Sequence, residues 1–228
     1  MPRELPIFPL PIVLFPGAPQ PLHIFEPRYR QLLSDCLAAD RRFGIAYVPG
    51  ETAPGGEPVP TPGDIGCVAL IRSSQRLPDG RSDVLTVGER RFVLLTWLAY
   101  ERPYRLAQVE EFDDEPVDAS EAGTLAGDVR AGFTRLAQAL GVLTEREEEE
   151  IELPADPQRL SFQVAAALEL DPEAKRGLQA LRDTTSRLRQ LAAMLGPIAA
   201  DAERRAAVRQ RARGNGRGGA NPHIERVT

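Results

Sequence analysis

The sequence predicts an α+β chain, a mainly antiparallel β half followed by a helical bundle, on three observations. Short apolar runs punctuated by proline and glycine fill the first half, and apolar residues at three- and four-residue spacing fill the second. Between them lies DDEPVD, residues 113–118, acidic and proline-containing, with Val117 its only large apolar residue.

Residues 5–33, LPIFPLPIVLFPGAPQPLHIFEPRYRQLL, form the densest apolar run near the start, and six prolines before Pro27 exclude a long helix there. Two short strands, 5–10 and 22–25, are expected on either side of a loop centred on Pro16 and Gly17. Proline donates nothing to a ladder, so these strands belong at a sheet edge or at bulges. Pro27 suits a first helical position, and Tyr29, Leu32, Leu33, Cys36 and Leu37 recur at helical spacing up to Ala39. FGIAYVP, 43–49, reads as a buried strand. Residues 50–63 carry too much proline and glycine for a regular element and read as a surface loop. Strands return at 66–75 and 84–95 across Leu77-Pro78-Asp79-Gly80, where proline presets one turn dihedral and glycine frees the exit. Gly88 is placed to bulge and bend the second of them. Residues 105–111 alternate as one more strand.

Beyond 113–118, Leu125, Val129, Phe133, Leu136 and Leu140 share a helical face that Gly141 closes. Leu160, Val164 and Leu168 mark a short helix after Pro157. Asp171-Pro172-Glu173 opens the next, with an acceptor at the cap and proline in the first turn. Leu178, Leu181, Thr185, Leu188, Ala192 and Leu195 then keep helical spacing for more than two heptads. From Asp201 onward seven arginines face three acids, a surplus of +4, so with a net charge of −5 overall the first 200 residues carry −9 (−5 − 4). RQRARGNGRGGANPH, 209–223, shows no apolar periodicity and is expected to be disordered. The domain reading is 1–112 β domain, 113–118 linker, 119–200 helical bundle and 201–228 basic, Gly/Arg-rich, disordered tail.

Two blocks carry a family resemblance. Residues 5–17 followed by 21–33 resemble the opening signature of the amino-terminal, substrate-binding domain of Lon proteases. GCVALIRSSQRLPDGRSDVLTVGERRF, 66–92, is similar to that family's Gly-x-Val-Ala, Leu-Pro-Asp-Gly and Gly-x-x-Arg pattern. Two ordered matches are more specific than either alone. The resemblance spans roughly 5–213, by motif in the first half and by helical pattern in the second. It implies a PUA-like β pseudo-barrel for the first half, unfolded or degron-bearing polypeptides as partners, and a protease as a working companion. It also sharpens an absence, because full-length Lon carries a GxxxxGK[ST] ATPase module and a Ser-Lys peptidase dyad. No such P-loop occurs here, and Lys175, the single lysine among 28 basic residues, falls in a helix of the bundle.

The remaining chemistry is sparse. No apolar run approaches the roughly 18 residues a bilayer span needs, and no secretory leader pattern follows Met1, so a cytoplasmic protein without membrane contact is expected. Cys36 and Cys67 make no disulfide framework and read as buried thiols. His23 and His223 are the only histidines, so a Cys-His nucleophile or a zinc site would have to use His23; a structural His23 is expected, with no metal and no cofactor. The acidic run 145–150 reads as a solvated face. Asp113 and Asp114 sit in the linker, where nothing would fix them for acid–base work. Arg90 and Arg91, adjacent on one strand, point to opposite faces and make a poor nucleic-acid patch.

Taken with this sparse chemistry, the resemblance implies a non-catalytic polypeptide-recognition module, an adaptor in protein quality control, and the apolar loop residues Leu14, Phe15 and Pro16 are the expected partner contacts. The alternatives are a nucleic-acid-binding PUA-like protein, using nonspecific contacts of the basic tail, and a hydrolase.

Overall fold

The computed structural model describes residues 1–50, 58–99, 101–144 and 152–216, with side chains up to Ala212. The acidic run 145–150, residues 51–57 of the long loop and residues 217–228 of the tail lie outside them.

One strand closes the β half. β5 (Ser82–Leu98) is 17 residues long and serves three neighbours. It pairs antiparallel with β4 (Ile65–Arg76) along 82–93, with β2 (Pro19–Ile24) along 82–87, and with β6 (Arg105–Glu111) along 92–98. β6 then pairs antiparallel with β1 (Arg3–Leu10), and β1 runs parallel to β3 (Arg42–Tyr47), which returns antiparallel to β4. The ring β5-β4-β3-β1-β6 thus closes on itself, with β2 added outside. The expected mainly antiparallel pseudo-barrel is present; β1–β3 is the one parallel pairing among the described residues.

The prolines of β2 sit at an edge, as expected, but β1 is an interior strand. Its pairing explains the tolerance: β6 covers only Arg3 to Ile7 and β3 only Ile7 to Leu10, so each half has one side without a neighbour, where a missing donor costs little. The bulge expected at Gly88 is also present. Cys67 pairs with Arg91 and Ala69 with Gly88, so Val68 faces two residues of β5.

Alternation divides the strands between two apolar clusters. Leu5, Ile7, Phe92 and Leu94 fill the barrel interior, while Phe8, Phe43, Ile45 and Ile71 meet the buried face of α1 (Pro27–Ala38), Tyr29, Leu32, Leu33 and Cys36. Phe92 fills its space so fully that a Cβ on Gly66 would lie 2.4 Å from its ring.

The second half contains α2 (Ala119–Thr144), α3 (Pro157–Ala167), α4 (Pro172–Ala180) and α5 (Thr184–Gly216). Asp156 and Asp171 cap α3 and α4, accepting from the Arg159 and Ala174 amides at 2.8 and 2.9 Å. Four details depart from the sequence reading. Gly141 does not end α2, which runs on to Thr144, and Leu140 is exposed: the buried stripe is Ala122, Ala126, Val129, Leu136 and Ala139. The spacing from Leu178 to Leu195 spans two helices rather than one. The chain breaks at 181–183 because Asp183 caps α5, accepting from the Thr185 and Ser186 amides at 3.0 and 3.2 Å. Residues 201–216 are helical rather than disordered, since Ala199, Ala202 and Ala206 extend the buried stripe of α5, and Glu203 pairs with Arg135 of α2 at 2.8 Å. Finally, residues 113–118 hold no regular element yet are firmly tied down.

Candidate functional site

The apolar loop between β1 and β2 is covered by the chain itself. Leu14 and Phe15 are 2% and 0% exposed. The Phe15 ring enters the helical core beside Phe162, centroids 6.3 Å apart. The loop's backbone clamps β5 at the bulge: the Gly17 amide donates to the Gly88 carbonyl at 2.8 Å and the Gly88 amide to the Ala18 carbonyl at 3.0 Å. A Cβ on Gly88 would lie 2.2 Å from the Phe15 carbonyl oxygen, so only glycine admits this crossing. Of the three residues expected to meet a partner, only Pro16 is partly exposed. The apolar tip does need a cover: the helical bundle covers Phe15, and the cluster between the strands and α1 takes in Leu14.

A buried ionic cluster fixes the same seam. Arg91 on β5 and Arg187 on α5 both bond the Asp114 carboxylate, whose side chain is 5% exposed. Thr184 Oγ1 donates to that carboxylate at 2.5 Å, and Arg187 Nε donates to Ser161 Oγ of α3 at 2.8 Å. Both guanidiniums also donate to the Leu181 carbonyl at 2.7 Å and lie over the Phe162 ring. Gln179 Nε2 reaches the Leu14 carbonyl at 2.7 Å. Burial pulls Arg91 down to about 10, opposed by Asp114, so it stays cationic at neutral pH. Asp114 therefore holds the two halves together. Arg90, on the opposite face of β5, pairs with Glu111 at the surface, as the strand alternation requires.

The residues with nucleophilic potential are spent separately. Cys36 Sγ donates to the Arg42 carbonyl at 3.2 Å, and burial pushes its thiol up to about 12. Burial drives the Cys67 thiol upward as well. His23 Nδ1 meets Asp83 at 2.7 Å across the β2–β5 pair, on the surface. Lys175 Nζ donates to the Ala166 carbonyl at 3.2 Å, and Ser161 is buried against Arg187. No group of three or more potential metal ligands occurs among the described residues.

An open cleft remains, of about 390 Å³. Its origin is topological. β6 begins at Arg105 opposite Ile7, so β1 continues to Leu10 without a neighbour on that side. Ile7, Pro9, Tyr29 and Leu98 face the gap, and Arg28 of α1, Arg102 in the β5–β6 connection and Arg105 of β6 rim it. Tyr104 is fixed by donating to Asp35 at 2.6 Å; this bond holds the Asp35 carboxyl below its ordinary range, while burial foremost, and the bond with it, pushes the phenol up. The cleft is not legible in the sequence because its lining comes from well-separated stretches, and the lining residues that fall in the family-like blocks, Ile7, Pro9, Arg28 and Tyr29, read there as parts of a strand and a helix.

A closed barrel locked to a helical bundle, with a cleft lined by apolar and cationic groups, defines an α+β binding module. The chain belongs to the family described as the ATP-dependent protease La (LON) substrate-binding domain, whose pattern matches residues 4–196. It is 30% identical over 196 residues to a Lon protease of Roseiflexus castenholzii, covering 86% of this chain and 24% of that protein. Lon protease 2 of Herpetosiphon aurantiacus is 26% identical over 193 residues, 84% of this chain and 23% of that one. The chain thus spans about a quarter of the length of these relatives. Among solved structures, the Lon N-terminal domain protein from Xanthomonas campestris superposes with a TM-score of 0.60 at 26% identity, covering 84% of this chain and 98% of that one. The N-terminal domain of a Mycobacterium avium complex Lon protease gives a TM-score of 0.64 at 19% identity, covering 85% and 98%, a likeness of fold.

Proposed function

We propose that this chain is a non-catalytic polypeptide-recognition module, an adaptor that presents unfolded or degron-bearing segments in protein quality control, with a protease as companion. The observation that carries the reading is membership of a family described as substrate-binding, across residues 4–196. The cleft agrees with it chemically. Its described lining offers apolar contact and guanidinium donors but no serine, cysteine, histidine, lysine or carboxylate with which to break a bond.

The test is binding of one polypeptide in two states. The full chain should retain a reduced, alkylated and permanently unfolded polypeptide and ignore its folded form. With ATP present it should leave that polypeptide intact. Cleavage that persists through purification and disappears on substituting Ser161, Cys36 or His23 would establish a hydrolase instead.

A further inference from the structure

The lining of the cleft carries a specificity. Three guanidiniums converge on it from three separate elements, Arg28 from the first turn of α1, Arg102 from the β5–β6 connection and Arg105 from the start of β6. No aspartate or glutamate lines it among the described residues. In a chain of net charge −5 this is a local inversion of sign. The neighbouring acids stand behind the rim. Glu26 grips Arg28 at 3.0 and 2.7 Å, and Asp35, already accepting from Tyr104 and Gln31, pairs with Arg102. These contacts orient two of the guanidiniums. Arg105 is different: it lies 5.7 Å over the Trp97 ring and has no carboxylate partner among the described residues. Stacked guanidiniums keep their in-plane N–H donors for a carboxylate, which they bind in a two-pronged geometry that an ammonium cannot copy.

We infer that this cleft takes acidic side chains of an extended polypeptide, with neighbouring apolar residues of the same segment against Pro9 and Leu98, which are partly exposed. The inference rests on the polypeptide-recognition reading and adds a substrate class to it. Side-chain carboxylates, rather than a chain terminus, suit a segment that runs on through the gap beside β1, and they answer Arg105, whereas Arg28 and Arg102 are each already paired with a carboxylate. An extended segment suits it because the cleft exists where a strand is missing beside β1. The apolar contacts supply sequence-tolerant affinity, and the guanidiniums supply the preference and steer the encounter.

Fluorescence anisotropy with the full chain and short labelled peptides tests this. Three amidated peptides share a leucine- and phenylalanine-containing frame and differ only in carrying glutamate, glutamine or lysine between the apolar residues. A fourth is the glutamine peptide with a free carboxyl terminus. The glutamate peptide should bind about tenfold more tightly than the glutamine peptide, and the lysine peptide least tightly. The gain should shrink as salt rises from about 50 to about 300 mM. Arg105→Glu should abolish the preference for glutamate and improve binding of the lysine peptide, while the circular dichroism spectrum and melting temperature stay as in the parent.

Equal binding of the glutamate and glutamine peptides, or a preference untouched by Arg105→Glu, overturns the inference. So does a free-terminus glutamine peptide that carries the whole gain, because the site then reads a chain end. If the permanently unfolded polypeptide binds while the acidic preference is missing, this inference fails alone. If that polypeptide does not bind, the recognition reading fails with it.

Discussion

Asp114 shows how far a residue's role can lie from its local sequence. Within DDEPVD it reads as one acid of a solvated linker, yet its side chain is 5% exposed and answers two buried guanidiniums. Its partner Arg187 is 73 positions away, a separation that no local pattern reports. Asp114→Ala would strand Arg91 and Arg187 without an anion, and removing one member of a buried ionic cluster costs about 3–5 kcal/mol. Urea unfolding of the full chain should show that loss, and a change below about 1 kcal/mol, the scale of an exposed pair, would mean that solvent screens the cluster. Phe15 illustrates a second kind of illegibility. An apolar loop tip must be covered, and sequence cannot say whether by a partner or by the chain's own helices. Here Phe162 and the bundle cover it.

At the scale of elements the punctuation residues were the most informative. Pro27 opens α1, Asp171 with Pro172 opens α4, and Gly88 bulges β5, each for the local stereochemical reason that made it readable. What failed was the prediction of helix ends. Leu181 keeps the three-four spacing of a continuing helix, but its carbonyl is taken by Arg91 and Arg187, and Asp183 restarts the chain as the cap of α5. Arginine and glycine content made the distal part of α5 look unstructured, although Ala202 and Ala206 bury against the bundle; a chain cut at Ala200 would therefore lose packing along with charge. The cap gives a pH-dependent prediction. Hydrogen bonds from Ser186 and Thr185 hold Asp183 down to about 2, below the unfolded value of about 3.9. A depressed carboxylate stabilises above its unfolded pKa and loses that contribution as pH falls toward its folded one. Asp183→Ala should cost about 1 kcal/mol near pH 7, and its melting temperature should converge on the parent's as pH falls from about 4 toward 2. A difference that stays constant over that window would show that the carboxylate's charge plays no part in the cap.

For the whole molecule, the sequence foretold the two halves and the family, since strand and helix periodicity and two ordered motif blocks are local signals. The seam between the halves and the cleft were not visible there, because both are assembled from residues that only the closed barrel brings together. The barrel closes through β5, the β1–β2 loop is locked under the helices, and the space left where β6 starts late opens beside β1. That architecture places Leu14 and Phe15 in the interior, and the arginine-rimmed cleft is the surface we propose for a polypeptide. Amide hydrogen exchange of the full chain, with and without a permanently unfolded polypeptide, tests this claim most directly. The account predicts added protection in residues 98–105, at the end of β1 and in the first turn of α1, with the seam unchanged. Protection confined to α5, or opening and protection of residues 11–18 with none around the cleft, would contradict it.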